Sequence, residues 1–378
     1  MRVVHIVPAL FGPDGLVGGA ERYALELARH MADVVPTTLV TFGGCAREER
    51  MGALDVEVLG PPTYIRGQRA NPFDVEIFRV LKDADVVHCH QQHVFVSSVV
   101  AAWCRLVGKH VVVTDLGGGG WDISAYLSTD RWFHSHLHIS EYSREVFGQS
   151  RMRRARVIGG GVDTTKFSSD PNVPRDRGPL FVGRLLPHKG VCDLIRSVSR
   201  DVPLTIVGPE PDWETKTQLV SLAHAKTVTF KHGLDDRALV DEYRRALCIV
   251  LPSVYRTDDG RETKVPELLG QTLLEGMACE TPAICTNVAS MPEVVVDGVT
   301  GFIVPPNDPQ ALAVRLTWLR EHPATARKMG LAGRERVLSH FTWPSVVSRC
   351  LEAYGEGEPA LATSEAALGR PNHGSRAQ

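Results

Sequence analysis

The sequence predicts an α/β chain built as two doubly wound, Rossmann-like domains facing each other across a cleft. Short apolar runs rich in valine and isoleucine alternate with segments whose apolar residues recur at helical spacing, as in Ala24, Leu27, Ala28 and Met31. That alternation marks a parallel sheet with helices on both faces. It breaks at Ser168 to Pro179, where three prolines and a set of charged side chains fall together, and then resumes. At 378 residues the chain is also long for a single core.

The first series of strands is expected at Arg2–Val7, Thr38–Phe42, Val56–Leu59, Asp85–His90, His110–Thr114, Leu137–Ser140 and Arg156–Ile158. The second is expected at Leu180–Val182, Leu204–Val207, Thr227–Phe230, Cys248–Leu251, Ala283–Thr286 and Gly301–Val304. These runs place an N-terminal domain at 1–172 and a C-terminal domain at 178–339, followed by a helical segment over 340–355. From 356 to 378 the sequence is small and polar with no core pattern, which reads as a disordered tail.

Composition narrows the function classes. A net charge of −2 gives no global electrostatic case for a nucleic-acid partner. No run of about 18 uncharged apolar residues occurs; the longest candidate, Val94 to Val107, is interrupted by Ser97, Ser98 and Arg105. The opening MRVVHIVPALFGPDG reads as a first strand and lacks a convincing signal-peptide cleavage site. Eight cysteines without a Cys-x-x-Cys pair fit reduced thiols, and with them a cytoplasmic protein. His88, His90 and His93 suit cleft-lining or partly buried positions better than a metal, so no metal site is expected. The cluster Arg151, Arg153, Arg154 and Arg156 is a candidate for peripheral contact with anionic headgroups at the inner membrane surface, against the plainer reading of a solvated turn.

Doubly wound sheets bind ligands beyond the carboxyl ends of their strands, so the chemistry is sought in strand-to-helix loops. Gly18-Gly19-Ala20-Glu21 follows the first strand and opens a helix, where glycines let backbone amides approach an anion. Val182-Gly183-Arg184-Leu185-Leu186-Pro187-His188-Lys189-Gly190 follows the first strand of the second domain and sets two cations on one loop. Arg184 offers a planar fork for phosphate oxygens and Lys189 a point charge. Then VPELLGQTLLEGMACETP carries Glu267 and Glu275 eight positions apart, around Gly270, Gln271 and Thr272, which mark the start of a helix running to about Cys279. Thr272-x-x-Glu275 also fits a capping box, which would explain Glu275 without function; it leaves Glu267 unexplained. A ligand with hydroxyls and a diphosphate satisfies all of these groups at once, and a nucleotide sugar has both.

GGAE, VGRLLPHKG, PELLGQTLLEGMACETP and, behind them, MPEVVVDGVTGFIVPPNDP resemble the retaining glycosyltransferases of family 4 over about residues 1 to 355. The resemblance implies the two-domain GT-B fold and an enzyme that moves a hexose-type sugar from a nucleoside-diphosphate sugar to an acceptor hydroxyl on a glycan, a lipid-linked sugar or a small molecule. It implies that Glu267 contacts the donor sugar, Glu275 the nucleotide ribose, Arg184 and Lys189 the diphosphate, and Gly270, Gln271 and Thr272 the sugar and diphosphate through backbone amides. It further implies a last helix, within Phe341 to Tyr354, that returns to the first, acceptor-side domain. No metal or separate cofactor is implied; the nucleotide sugar is the co-substrate. The chain departs from the family where a histidine commonly stands two residues after Thr114: Leu116 is there, and Asp115 or Asp122 is a candidate substitute. Glu280 stands where glycine usually follows the glutamate helix, Gly160 where asparagine is common, and a charged insertion lies between Ser253 and Glu267. Two rival readings stay open: a nucleotide-sugar epimerase of the same architecture, which the Glu267/Glu275 spacing disfavours, and a catalytically silent nucleotide-sugar-binding protein.

Overall fold

The computed structural model of the protein describes residues 1–10 and 18–355, with the side chains of residues 9 and 10 left out of account. The expected disordered tail, 356–378, lies outside the described residues. Strands β1 (Val3–Leu10), β2 (Thr37–Phe42), β3 (Arg47–Met51), β4 (Leu54–Leu59), β5 (Val86–His90), β6 (His110–Thr114), β7 (Ser135–His138) and β8 (Ala155–Val157) form one sheet in the order β8-β7-β6-β5-β1-β2-β4-β3. Strands β9 (Leu180–Val182), β10 (Leu204–Val207), β11 (Val228–Lys231), β12 (Ile249–Leu251), β13 (Ala283–Thr286) and β14 (Gly301–Val304) form a second in the order β11-β10-β9-β12-β13-β14. Both are the doubly wound sheets the alternation predicted. Every expected strand forms, with ends shifted by a few residues at most.

All pairings in the two large sheets are parallel except β3 with β4. Burial on both faces explains the unbroken apolar runs: all five residues of β5 and all four of β13 are buried. The antiparallel β3 reads Arg-Glu-Glu-Arg-Met at the sheet edge, the charged composition that blunts an exposed edge. The helices that bear on function are α1 (Gly19–Ala32), α2 (Phe95–Val107), α3 (Asp236–Arg245), α4 (Gln271–Ala278) and α5 (Trp343–Gly355). In α1 the buried Tyr23, Ala24, Leu27, Ala28 and Met31 repeat at helical spacing and lie in one hydrophobic core cluster.

The last helix, α5, packs on α1 and β7 of the first sheet. Trp343 lies 5.2 Å from Tyr23 and stacks on His30 at 5.5 Å, and the Tyr354 hydroxyl meets His88 Nδ1 at 2.7 Å. No described helix is long and apolar enough to cross a membrane.

In each sheet the strand order reverses beside its first strand. The first switch point lies between β1 and β5, the second between β9 and β12. Loops leaving those strands on opposite sides open a crevice at that point. The Gly18 and His93 segments follow β1 and β5, while the Arg184–Lys189 and Glu267 loops follow β9 and β12.

Candidate active site

Helix α4 begins at Gln271, with Gly270 as its N-cap in a left-handed conformation (φ 82°) and no side-chain cap. A capping box on Thr272 is therefore not formed, because Thr272 already lies inside the helix. Glu275 instead turns into the core, where its Oε2 accepts from the Tyr243 hydroxyl at 2.8 Å. Burial pushes the Glu275 carboxyl up, and Arg22 and the Tyr243 hydroxyl offset only part of that rise.

Glu267 is held differently. Lys189 Nζ donates to its Oε2 at 2.7 Å and to the Pro266 carbonyl at 3.1 Å, with the two side chains only 13% and 16% exposed. Burial alone would raise the Glu267 carboxyl, but the Lys189 ammonium and the Gly270 and Leu269 amides hold it below the usual carboxylate range. The two long-range partners, far apart in sequence, thus form a charge-assisted pair at the second switch point. His188 beside them is driven down to about 4 by burial and by Lys189, so it is neutral at pH 7. Arg184, on the same loop as Gly183, is exposed; its carbonyl accepts the Leu186 N–H at 2.9 Å, while its guanidinium makes no hydrogen bond or ion pair among the described residues.

Several contacts tie the 267–271 loop to the first domain. Ser140 Oγ donates to the Leu268 carbonyl at 2.7 Å, and Gln271 Nε2 donates to the Gly161 carbonyl at 3.1 Å. Gln271 Oε1 is buried with no partner among the described residues, an acceptor left open to a hydroxyl. Gly19, Arg22, Lys166, Gln271 and Glu275 line a cavity of about 50 Å³ between α1 and α4. The larger cavity of about 290 Å³ is lined by Leu269, Ser290, Glu293, Arg336 and Arg349 among others, and includes none of Arg184, Lys189 and Glu267.

Gly18 departs from the expectation of a free anion-binding amide. Its N–H donates to Glu21 Oε2 at 2.8 Å, so the fourth residue of Gly-Gly-Ala-Glu occupies the group that was assigned to a ligand. Gly19 keeps open space around it. Arg22, the next residue along, was not singled out from the sequence. It crosses to Asp236 at the start of α3 (3.1 Å) and acts electrostatically on Glu275. The signal was present: a cation in the first turn of a helix opposes the helix dipole and needs a partner from elsewhere.

Leu116, at the position of the family's histidine, is buried beside Glu21, His90 and Gln91. Asp115 is buried too: its Oδ1 accepts the Gly117 N–H at 3.0 Å and its Oδ2 lies 3.9 Å from Nε2 of the half-exposed His93. Burial raises the Asp115 carboxyl, against the Gly117 amide and His93. Asp122 caps Ser124 and accepts from Ser98. Of the three histidines considered for a metal, His93 is half-exposed beside Asp115 and Ser124, while His88 and His90 are buried with His5. His90 stacks on both of its partners, with 4.3 Å between the His88 and His90 centroids, while His5 and His88 are tilted against each other. His88 also spends both nitrogens on Tyr354 and Thr114 at 2.7 Å. The cluster ties the last helix to the sheet.

Glu280 adopts φ 61°, which explains why glycine is usual at that place; its Oε1 accepts from Ser169 at 2.7 Å. In the charged insertion, Asp258 pairs with Arg196 at 2.6 Å and Asp259 with Arg261 at 2.5 Å. Val254 donates to the His188 carbonyl at 2.8 Å, joining this segment to the Lys189 loop.

Two family models tile the chain: "Glycosyltransferase Family 4" matches residues 17–166 and "Glycosyl transferases group 1" matches residues 164–336. The chain belongs to the family 4, group 1 glycosyltransferases. The enzyme is 28% identical to alpha-maltose-1-phosphate synthase of Mycolicibacterium smegmatis over 90% of this chain and 96% of that protein. It is 32% identical to the GDP-mannose-dependent alpha-(1-6)-phosphatidylinositol monomannoside mannosyltransferase of the same organism, over 57% of this chain and 60% of that one. In fold it is similar to sucrose-phosphate synthase from Thermosynechococcus elongatus, with a TM-score of 0.73 at 21% identity over 94% of this chain and 98% of that one. Anabaena HepE in complex with UDP and glucose gives 0.70 at 17% identity over 94% and 100%. The two-domain glycosyltransferase is thus of the GT-B type.

Proposed function

We propose that this glycosyltransferase is retaining and metal-independent, and moves a hexose-type sugar from a nucleoside diphosphate to an acceptor hydroxyl. The observation that carries the reading is the Lys189–Glu267 pair at the switch point of the second sheet, with the unpaired Arg184 on the same loop. The second domain, 178–339, holds the donor, and the first, 1–172, presents the acceptor. The acceptor oxygen bonds to the anomeric carbon as the anomeric carbon–oxygen bond to the diphosphate breaks. The electron pair leaves on the diphosphate, which also receives the acceptor's proton. Negative charge grows on that leaving group, so Arg184, Lys189 and the amides at the start of α4 stabilise the transition state more than the ground state. Fixed cations take the part a divalent ion would otherwise have.

Glu267, kept ionised by Lys189, accepts from hydroxyls of the donor sugar, and Gln271 Oε1, near Glu275, is a further open acceptor. Glu275 takes the ribose hydroxyls, exchanging its Tyr243 contact for the ligand. A relative that is GDP-mannose-dependent, and HepE in complex with UDP, support a nucleoside-diphosphate donor. We place the enzyme in the cytoplasm, with the exposed Arg151, Arg153 and Arg154 as its contact with anionic membrane surfaces. Donor hydrolysis and transfer, measured over a panel of nucleotide sugars with and without chelator, test the reading. Turnover of one donor class that survives chelation is expected. A strict divalent-ion requirement would overturn the metal-independent design, and donor binding without any turnover would favour the silent-binder rival.

A further inference from the structure

We propose that Arg66 and Arg69, on the turn that precedes β5, bind a phosphate carried by the acceptor. This names a substrate class for the reaction above and rests on that reading. The turn is a built feature. Ile65 donates to the Asn71 carbonyl at 3.0 Å and Asn71 to the Gln68 carbonyl at 2.9 Å, closing residues 65–71 on themselves. Asn71 is fully buried and staples three segments together: its Nδ2 donates to the Trp121 carbonyl at 2.6 Å, and its Oδ1 accepts the Phe95 N–H at 2.9 Å. Gln68 Oε1 accepts the Trp121 N–H at 2.7 Å. The turn is thereby fixed on the loop of four glycines, 117–120, and on the start of α2.

On this base the Arg66 guanidinium lies 4.2 Å over the Trp121 ring, and Trp121 stacks on Phe95. Arg66 has φ 50°, a left-handed conformation that a branched or long side chain rarely adopts. Backbone strain of this kind persists where the surroundings over-determine it, and it gathers at ligand-binding positions. Both arginines are exposed, and among the described residues neither makes an ion pair. Among the described residues the Arg66 side chain donates one hydrogen bond, to the Tyr126 hydroxyl at 3.4 Å. The carboxylates of the adjoining loops point elsewhere: Asp115 to Gly117, Asp122 to Ser98 and Ser124, Asp130 to Gln92. The Arg66 guanidinium is therefore held in place by Trp121 without a carboxylate partner among the described residues, and the exposed Arg69 follows three positions along the same turn; planar guanidinium forks of this kind suit phosphate oxygens.

The place is right for an acceptor. A Cβ on Gly117 would lie 3.1 Å from Leu268, the neighbour of Glu267, so the glycine loop abuts the donor pocket. From Gly117 to Trp121 four residues span at most about 14 Å. A sugar phosphate can lie along that path with a hydroxyl at the donor and its phosphate on the arginines. Phosphate monoesters of soluble sugars and the phosphodiester of a glycolipid headgroup share this chemistry.

The test uses the full chain with the donor it turns over. Three acceptors are compared: a hexose 1-phosphate, the same hexose without phosphate, and phosphatidylinositol in phosphatidylcholine vesicles. The phosphorylated acceptors should be preferred over the neutral hexose, with the soluble and vesicle arms telling the two sources apart. Arg66→Ala with Arg69→Ala should cut that preference roughly 10- to 100-fold, through KM of the phosphorylated acceptor; Arg66→Lys should restore part of it. Equal use of neutral and phosphorylated acceptors, or an undiminished preference in the double variant, overturns the proposal. If no nucleotide sugar is turned over at all, the transferase reading fails. Calorimetric binding of hexose 1-phosphate, present in the parent and lost in the double variant, then decides the anion site by itself.

Discussion

Replacing Lys189 by Met keeps the length of the side chain and removes its charge. In the native protein the Nζ–Oε2 distance is 2.7 Å and the two side chains are 13% and 16% exposed. At an effective dielectric of about 20, Coulomb attraction over that distance is about 6 kcal/mol, much of it cancelled by the desolvation of both ions. Removing one partner leaves Glu267 charged and largely buried, with only the Leu269 and Gly270 amides to hold it. Such losses cost about 3–5 kcal/mol when burial is complete, and the residual exposure places this one at about 3 kcal/mol. Adding Glu267→Gln removes the stranded charge and should recover about half of that loss, while transfer stays abolished. Acidification separates the two states. In the parent, the lowered Glu267 pKa contributes stability above its unfolded value, and that contribution is lost as pH falls through the folded pKa. In Lys189→Met, burial dominates and the folded pKa rises above the unfolded one, so stability should fall as pH rises between them. Urea denaturation at several pH values reads both effects. A change below about 0.5 kcal/mol in Lys189→Met, or no recovery in the double variant, would refute the pair as the electrostatic centre of the site.

Arg184→Ala should lower kcat/KM by about 10²-fold or more through transition-state stabilisation; the side chain is exposed, so denaturation should be unmoved, and unchanged turnover removes it from the site. Glu275→Gln should weaken nucleotide binding in calorimetry while leaving the ligand-free protein as stable or more so near neutral pH. The reason is that the raised Glu275 pKa means its ionised form already opposes folding there; a drop of about 0.5–2 kcal/mol with unchanged nucleotide affinity would be the behaviour of a cap instead. Asp115→Asn keeps the Gly117 turn but takes the charge from beside His93, so transfer should fall more than donor hydrolysis, and full retention of both activities would detach Asp115 from the acceptor side.

What the sequence made legible follows from the range of the forces involved. Strands such as Val86–His90 and Ala283–Thr286 announce themselves because each residue is buried in place, and burial writes itself locally as apolar runs. Arg47–Met51 did not, because an edge strand is stabilised by pairing with Leu54–Leu59 while its composition is chosen for water. The same divide runs through the site. Glu267, Lys189, Arg184 and the start of α4 stood out in the sequence because charges and glycines gather there on strand-to-helix loops. Their orientations were not readable, since Lys189 meets Glu267 78 positions away and Tyr243 meets Glu275 32 positions away. A one-dimensional pattern also assigned the Gly18 amide to a ligand when Glu21, three residues on, was the nearer acceptor.

Local pattern and long-range contact diverge most at the acceptor side, and for a physical reason. A nucleoside-diphosphate donor, as proposed above, presents the same diphosphate and ribose whatever sugar it carries, so the groups proposed to meet it can lie at short, fixed spacing on one domain. Acceptors differ, and the groups that meet them come from segments joined only in space. Arg66, Asn71, His93, Asp115 and Trp121 are spread over three connections of the first sheet and are brought together by the buried Asn71 and the glycine loop. Leu116 holds the place where the family commonly has a histidine, and the imidazole that stands near Asp115 is His93, 3.9 Å away on the neighbouring strand-to-helix loop. A histidine at 116 would have to fit the buried space beside His90 and Glu21 that Leu116 now fills. Gly117, Gly118 and Gly119 have positive φ, and a Cβ at Gly119 or Gly120 would meet the His93 carbonyl at 3.0 Å or Gln68 at 2.7 Å, so backbone conformation and packing against the protein's own chain account for the glycine run.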